Sequence, residues 1–236
     1  MVTRKAAGQS NKVDETMRIE AGWCLHPNSD SDMATPKIIV LSGTSGSGKS
    51  TIAQRLIEDD KTPVVRPITS TNRMPRPGEE DGVDYYFLTT YEFRALQANG
   101  QFIESAKVHG HLKGLMRSEL ERCEQNGKTP LVVMDPQGAE NLKEQFGDDE
   151  VLTIFLCPES YDLVRQRLVE RDPTITPDEL ERRVQAAKEE VEWAFESDEV
   201  DAIYVPEDGQ IKEAESDIRE LIEGYGIRAG QDGITP

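Results

Sequence analysis

Three features of this sequence predict a three-layer α/β domain, with a parallel sheet between helices and a small mixed β insertion. Continuous apolar runs at Ile38–Leu41, Leu131–Asp135 and Val151–Leu156 are typical of strands buried on both faces. Stretches of helical periodicity separate them, and such alternation builds parallel sheets. The first run leads into Gly43-Thr44-Ser45-Gly46-Ser47-Gly48-Lys49-Ser50 and then into a helical pattern, Thr51–Ile57. This is a GxxxxGK[ST] loop placed between a strand and a helix.

The loop's chemistry follows from its residues. Glycines let the backbone curl until several N–H groups face one anion, and the new helix adds its positive end. Ser45, Gly46, Ser47, Gly48, Lys49, Ser50 and Thr51 are the expected triphosphate-binding residues. Lys49 reaches the β- and γ-phosphates, and the Ser50 hydroxyl binds Mg²⁺. A glycine-rich turn would meet the spacing by chance in about one chain in a hundred of this length. The strand–loop–helix context lowers that further.

In chain order, residues 1–36 are polar and without sustained periodicity, and are expected to be a disordered extension. Within them, Val13 to Trp23 has the pattern of a short amphipathic helix, and Met33 is a second candidate start. Lys61–Pro67 holds a short second strand. Residues 69–115, rich in Pro, Gly, Arg and Tyr, form the insertion, with alternating pieces such as Tyr85–Leu88. Glu119–Asn126 is helical. So are Tyr161–Arg171 and Pro177–Phe195, the latter with Thr176 as N-cap and Pro177 at the first helical position. Ala202–Val205 is the last strand and Ile211–Ile222 the closing helix, with a frayed tail from Gly224. Residues 37–226 are thus expected to form one domain: a core of 37–68, 116–170 and 185–226, the insertion, and a connecting segment 171–184. Residues 227–236 are the tail.

Composition narrows the partners. There are 27 basic and 45 acidic residues, a net charge of −18, which disfavours nucleic acid and anionic lipid. Anionic small molecules then need cations gathered locally. The 16 arginines against 11 lysines suit bidentate phosphate recognition. The three cysteines are far apart and form no CxxC pair, which argues for a reducing compartment and against a zinc site. No apolar stretch approaches the length of a membrane span. The N-terminus has no secretory h-region, so the cytoplasm is the default location.

The stretch from Thr69 to Phe87 is the second informative segment. Arg73 and Arg76, with prolines stiffening the backbone, form a fork for a phosphate dianion, and a hydroxyl from Thr69 or Tyr85 can complete the cage. The bland alternative is a solvated loop whose arginines pair with Glu79 and Glu80.

Together with the phosphate loop, this stretch resembles guanylate kinases, ATP-dependent enzymes that phosphorylate GMP. The likeness runs from about Ile38 to Ile222, some four-fifths of the chain. It implies a P-loop NTPase fold with a small GMP-binding insertion and a short helical lid at 171–184, ATP and Mg²⁺, small-molecule nucleotides as partners, and a monomer or homodimer. By position, Arg73, Arg76 and Tyr85 would hold the GMP phosphate, with Glu79 orienting the arginines and Thr69 standing where serine is usual. Glu104 and Asp135 would bind guanine, whose adjacent N1–H and N2–H a carboxylate accepts as a pair. For Glu104 the competing reading is an exposed charge at a strand end; for Asp135 it is a magnesium ligand. Arg171 and Arg183 would be the lid arginines that, with Lys49 and Arg76, serve the transferring phosphoryl group. Otherwise they merely offset Glu170, Glu179 and Glu181. Arg167 shares a helix face with Arg171.

The chain departs from the family in a lid about one residue longer and at four single positions. Lys113 replaces a phosphate-binding tyrosine, Leu115 a hydroxyl residue near the base, Val133 a second aspartate and Pro206 an asparagine. Three readings follow: a guanylate kinase acting on GMP and dGMP, a kinase of the same fold with another nucleoside or sugar monophosphate as acceptor, and a non-catalytic binding module. The intact Gly48-Lys49-Ser50 opposes the third.

Overall fold

The computed structural model describes residues 21–25, 35–59, 61–108 and 110–228. Its central sheet is laid down by the buried apolar runs. The strand β2 (Ile38–Gly43) is wholly buried and lies parallel between β9 (Val151–Leu156) and β8 (Thr129–Val133). Parallel strands β3 (Val64–Val65) and β10 (Ala202–Val205) extend it on either side. An antiparallel edge strand β1 (Gly22–Leu25) gives the order β1-β10-β9-β2-β8-β3.

Strand alternation decides which helix packs where. Ile39 and Leu41 point to one face, into a cluster with Ile52 and Leu56 of α1 (Lys49–Glu58) and Ile218 and Ile222 of α7 (Ile211–Gly224). Ile38 and Val40 point to the other, against Leu120 of α3 (Arg117–Gln125) and Leu142 of α4 (Pro136–Phe146). A third cluster joins Phe155, Ile203 and Val205 to α5 (Tyr161–Arg171) and α6 (Pro177–Glu196). The expected helix–sheet–helix sandwich is present.

The insertion is a separate four-stranded sheet, order β5-β4-β7-β6, made of β4 (Ser70–Thr71), β5 (Tyr86–Phe87), β6 (Phe102–Val108) and β7 (His111–Met116). It also carries a helix not expected from the sequence, α2 (Thr90–Ala98), started by a capping box between Thr89 and Glu92. Its Phe93 is buried and stacks on Phe102 with ring centroids 4.3 Å apart. Buried Glu119 of α3 anchors the insertion to the core: it accepts from Ile68 N (2.8 Å), the Tyr86 hydroxyl (2.9 Å) and the Arg122 guanidinium.

The segment 171–184, expected to be a lid, falls at the tip of the α5–α6 hairpin. Asp172 closes its turn by accepting from Thr174 N and Oγ1 (3.1 and 2.7 Å). Thr176 caps α6 through Glu179 N, with Pro177 in the first turn as expected.

Two expectations about the ends are corrected. Residues 1–36 were expected to be unstructured or, near Trp23, helical, yet Gly22–Leu25 forms β1. The edge of β10 offers unpaired backbone groups, and Trp23 packs edge-on against Tyr204 (4.7 Å). The rest of the proposed Val13–Trp23 helix lies outside the described residues, as does the tail from 229. The tail was also drawn too long, because Ile227 is buried against the α1–α7 cluster.

Candidate functional site

The phosphate loop starts where β2 meets its neighbour. At Gly43, with φ +137°, a Cβ would sit 2.3 Å from the Leu156 carbonyl oxygen, so only glycine lets the strands approach as the chain turns away. Lys49 opens α1 and folds back, donating to the Gly43 and Thr44 carbonyls at 2.5 and 2.7 Å. Burial pulls the Lys49 ammonium below its usual range, and Arg171 adds to that effect while Glu190 opposes it. The first turn of α1 holds no acidic residue and no capping side chain, which leaves its N–H groups to an anion. The hydroxyls of Thr44 and Ser47 are buried with no partner, whereas Ser50 and Thr51 are exposed. These unpaired donors and the open Ser50 hydroxyl fit a triphosphate with its metal.

Arg167 was singled out in the sequence only for its helix face. It bridges Gly46 O (2.7 Å) and the Asp208 carboxylate (2.6 Å), joining α5, the loop and the turn after β10. Arg183 donates to Glu179 (2.7 Å), and Arg182 pairs with the same carboxylate. For these two, the reading that lid arginines offset neighbouring glutamates describes the protein as it stands. Arg171 makes no ion pair among the described residues, although its charge reaches Lys49.

On the insertion, Arg73 and Glu79 form a bidentate pair at 2.6 Å through both oxygens. Glu79 also accepts from Arg76 N (2.7 Å). The Arg73 hydrogen bonds, joined by that backbone donor, hold the Glu79 carboxyl down at about 2. The Arg73 guanidinium lies over the Tyr85 and Phe87 rings (5.0 and 5.5 Å), while the Arg76 side chain is exposed and makes no ion pair among the described residues. Lys113 reaches Tyr85 from β7, 3.4 Å from its hydroxyl and 5.1 Å from its ring centroid. Thr69 is half-buried, and its carbonyl accepts from Tyr86 N. Leu115 faces inward, 1% exposed, within the α3–α4 cluster.

Glu104 and Asp135 come together from different elements. Glu104, on β6, has its carboxyl raised by burial and then by the Asp135 charge. Asp135 caps α4 by accepting from Gly138 N (2.9 Å). A Cβ on Gly138 would lie 3.1 Å from Glu104 Oε2, so a small residue is needed there. Sequence reasoning missed Glu190 of α6. Its Oε2 is buried without a partner, its charge is felt at Lys49, and the Asp135 charge adds to the burial that raises its carboxyl.

A guanylate kinase family profile matches residues 35–225. The chain is 36% identical over 173 residues to the guanylate kinase of Sus scrofa, covering 73% of this chain and 86% of that protein. It is 33% identical over 193 residues to that of Dechloromonas aromatica, covering 82% and 91%. The crystal structure of guanylate kinase from Anaplasma phagocytophilum superposes with a TM-score of 0.57 at 30% identity, covering 84% of this chain and 91% of that one. A profile match over most of the chain and relatives at this identity show that the chain belongs to the guanylate kinase family.

Proposed function

We propose that the chain transfers the terminal phosphoryl group of ATP to GMP, giving ADP and GDP, and accepts dGMP in the same way. It works in the cytoplasm as a monomer or homodimer. The observation that carries the reading is the Glu104–Asp135 pair. A carboxyl raised by burial and by a second carboxylate needs hydrogen-bond donors to ionise, and guanine brings N1–H and N2–H side by side. Adenine would present a lone pair at N1 and leave the carboxylate unpaired, which is a strong basis for rejection.

The donor triphosphate is held by the backbone of Ser45–Thr51 and by Lys49, which moves from the Gly43 and Thr44 carbonyls to the β- and γ-phosphates. Ser50 is the hydroxyl placed for Mg²⁺, which neutralises charge on the donor phosphates when bound. On the acceptor side, Arg76 faces the GMP phosphate directly. Arg73 is fixed by Glu79 and stacked on Tyr85, and Thr69 lies alongside. Arg171 and Arg183 close from the lid, Arg183 by leaving Glu179. The GMP phosphate is anionic at neutral pH, so attack needs no general base. Positioning and charge neutralisation suffice. Closure also excludes the water that would hydrolyse ATP.

A kinase of the same fold with another nucleoside or sugar monophosphate as acceptor is favoured by two observations. Lys113 stands at the acceptor side, and Leu115 is turned into the core, where it offers the base nothing. Coupled ADP release measured with GMP, dGMP, AMP, UMP and CMP separates the readings. Turnover is expected with GMP and dGMP and its loss, with the fold retained, in Lys49→Ala. Turnover on a different acceptor alone would favour the second reading, and undiminished activity of Lys49→Ala would remove the loop from the reaction.

A further inference from the structure

Along α6, Arg183, Ala187 and Glu190 follow one another four and three residues apart and so share one stripe of the helix. Ala187 is buried against the core, which turns the stripe inward. Further along, the Trp193 indole donates to Glu140 of α4 at 2.6 Å, and this fixes α6 against the helix that Asp135 caps. Glu190 thereby lies on an inward-facing stripe, where the charges of Lys49 and Asp135 both act on it. Its Oε2 is sealed from solvent and accepts no hydrogen bond. An orphaned buried carboxylate oxygen is costly, and packing alone would be served better by an apolar side chain. The charges of Glu190 and Lys49 act on each other, although the Lys49 ammonium is bonded to the Gly43 and Thr44 carbonyls rather than to this carboxylate.

We propose that Glu190 is a positioning residue for Lys49: it steadies the ammonium from the side opposite the phosphates as the lysine leaves the loop carbonyls. The inference rests on the reading of Lys49 as the donor-phosphate lysine, and Glu190 acts only through it.

The test is a double-mutant cycle on the full chain, with kcat and KM for ATP and GMP measured in Glu190→Gln, Lys49→Arg and the pair, beside thermal melts. Glu190→Gln is expected to lower kcat by about tenfold or more, the worth of one charge-assisted contact. Both KM values should stay within about threefold and the melting temperature should be unchanged or higher, since an unpaired buried charge is removed. Glu190→Asp should recover part of kcat. In the Lys49→Arg background the Glu190→Gln effect should largely vanish. A wild-type kcat in Glu190→Gln, or effects that simply multiply in the pair, overturns the inference. So does a lowered melting temperature with normal turnover per folded molecule, which marks a structural carboxylate. Should Glu190→Gln not fold, Glu190→Ala is read against the same criteria. A fully active Lys49→Arg with a fully active Lys49→Ala would instead sink the donor-loop reading.

Discussion

Replacing Glu119 with alanine should unfasten the insertion from the core, and its size can be worked from the contacts. Glu119 is 1% exposed and accepts from Ile68 N, Tyr86 Oη and the Arg122 side chain. The Ile68 amide loses its only acceptor, at about 1–3 kcal/mol for a buried donor left unmade. The half-buried Tyr86 hydroxyl can reach water, so its loss is about 0.5–1.5 kcal/mol. Arg122, 43% exposed, can swing into solvent at almost no cost. The sum is about 3 kcal/mol, a fall in melting temperature of roughly 6–12 °C for a chain of this size. Urea unfolding followed by circular dichroism measures it, and KM for GMP should rise more than KM for ATP because Tyr86 adjoins Tyr85. Burial raises the Glu119 carboxyl, but bonds from Arg122, Ile68 N and Tyr86 outweigh it and leave it below the ordinary value. Its contribution is therefore complete above the unfolded carboxylate pKa and is lost as pH falls through the lower folded one, so wild type and variant should converge in acid. A loss below about 0.5 kcal/mol would refute this account of the anchor.

Two further outcomes are expected. Glu104→Gln should raise KM for GMP by about tenfold or more while ATP affinity, read with a fluorescent analogue, stays put, because an amide meets the guanine donors with one acceptor and one repelled N–H₂; equal changes in both would take Glu104 away from the base. Glu79→Gln should raise KM for GMP by about tenfold through a loosened Arg73. With the wild-type Glu79 carboxyl at about 2, against an ordinary 4.5, the contribution is full above pH 4.5 and disappears only as pH falls towards 2. Between pH 5 and 8 the Glu79 contribution to KM for GMP should therefore stay flat, while the acceptor phosphate, whose second pKa is about 6, and the raised Glu104 carboxyl account for any pH dependence. A Glu79-dependent step in that window would contradict the pairing.

Elements with a complete local grammar were legible in the sequence. α5 and β10 fall on the predicted residues, and α6 begins where Thr176-Pro177 says it must. What escaped had weak or shared signals. α2 buries a single residue, Phe93, so its periodicity is faint, although Thr89 and Glu92 spell out a capping box. α4 was hidden because Asp135-Pro136 was read for chemistry alone, when Asp135 also serves as N-cap. The pairing of Arg73 with Glu79 was legible because both stand in one short proline-stiffened loop. Glu190 was not, because it stands among Glu189 and Glu192 and only tertiary packing distinguishes it. The pairing of Lys113 with Tyr85 depends on the β4–β7 register, which the sequence does not express.

The short strand at Gly22–Leu25 lies ahead of the family match at 35–225, yet it covers the flank of β10 with an antiparallel neighbour. A chain begun at Met33 would leave that flank's amides and carbonyls bare, beside a Tyr204 ring stripped of Trp23. Such an uncovered ribbon is a template for self-association. The leader is thus a seal: removing it should foster clumping between molecules well before it disturbs chemistry at the far ends of the strands.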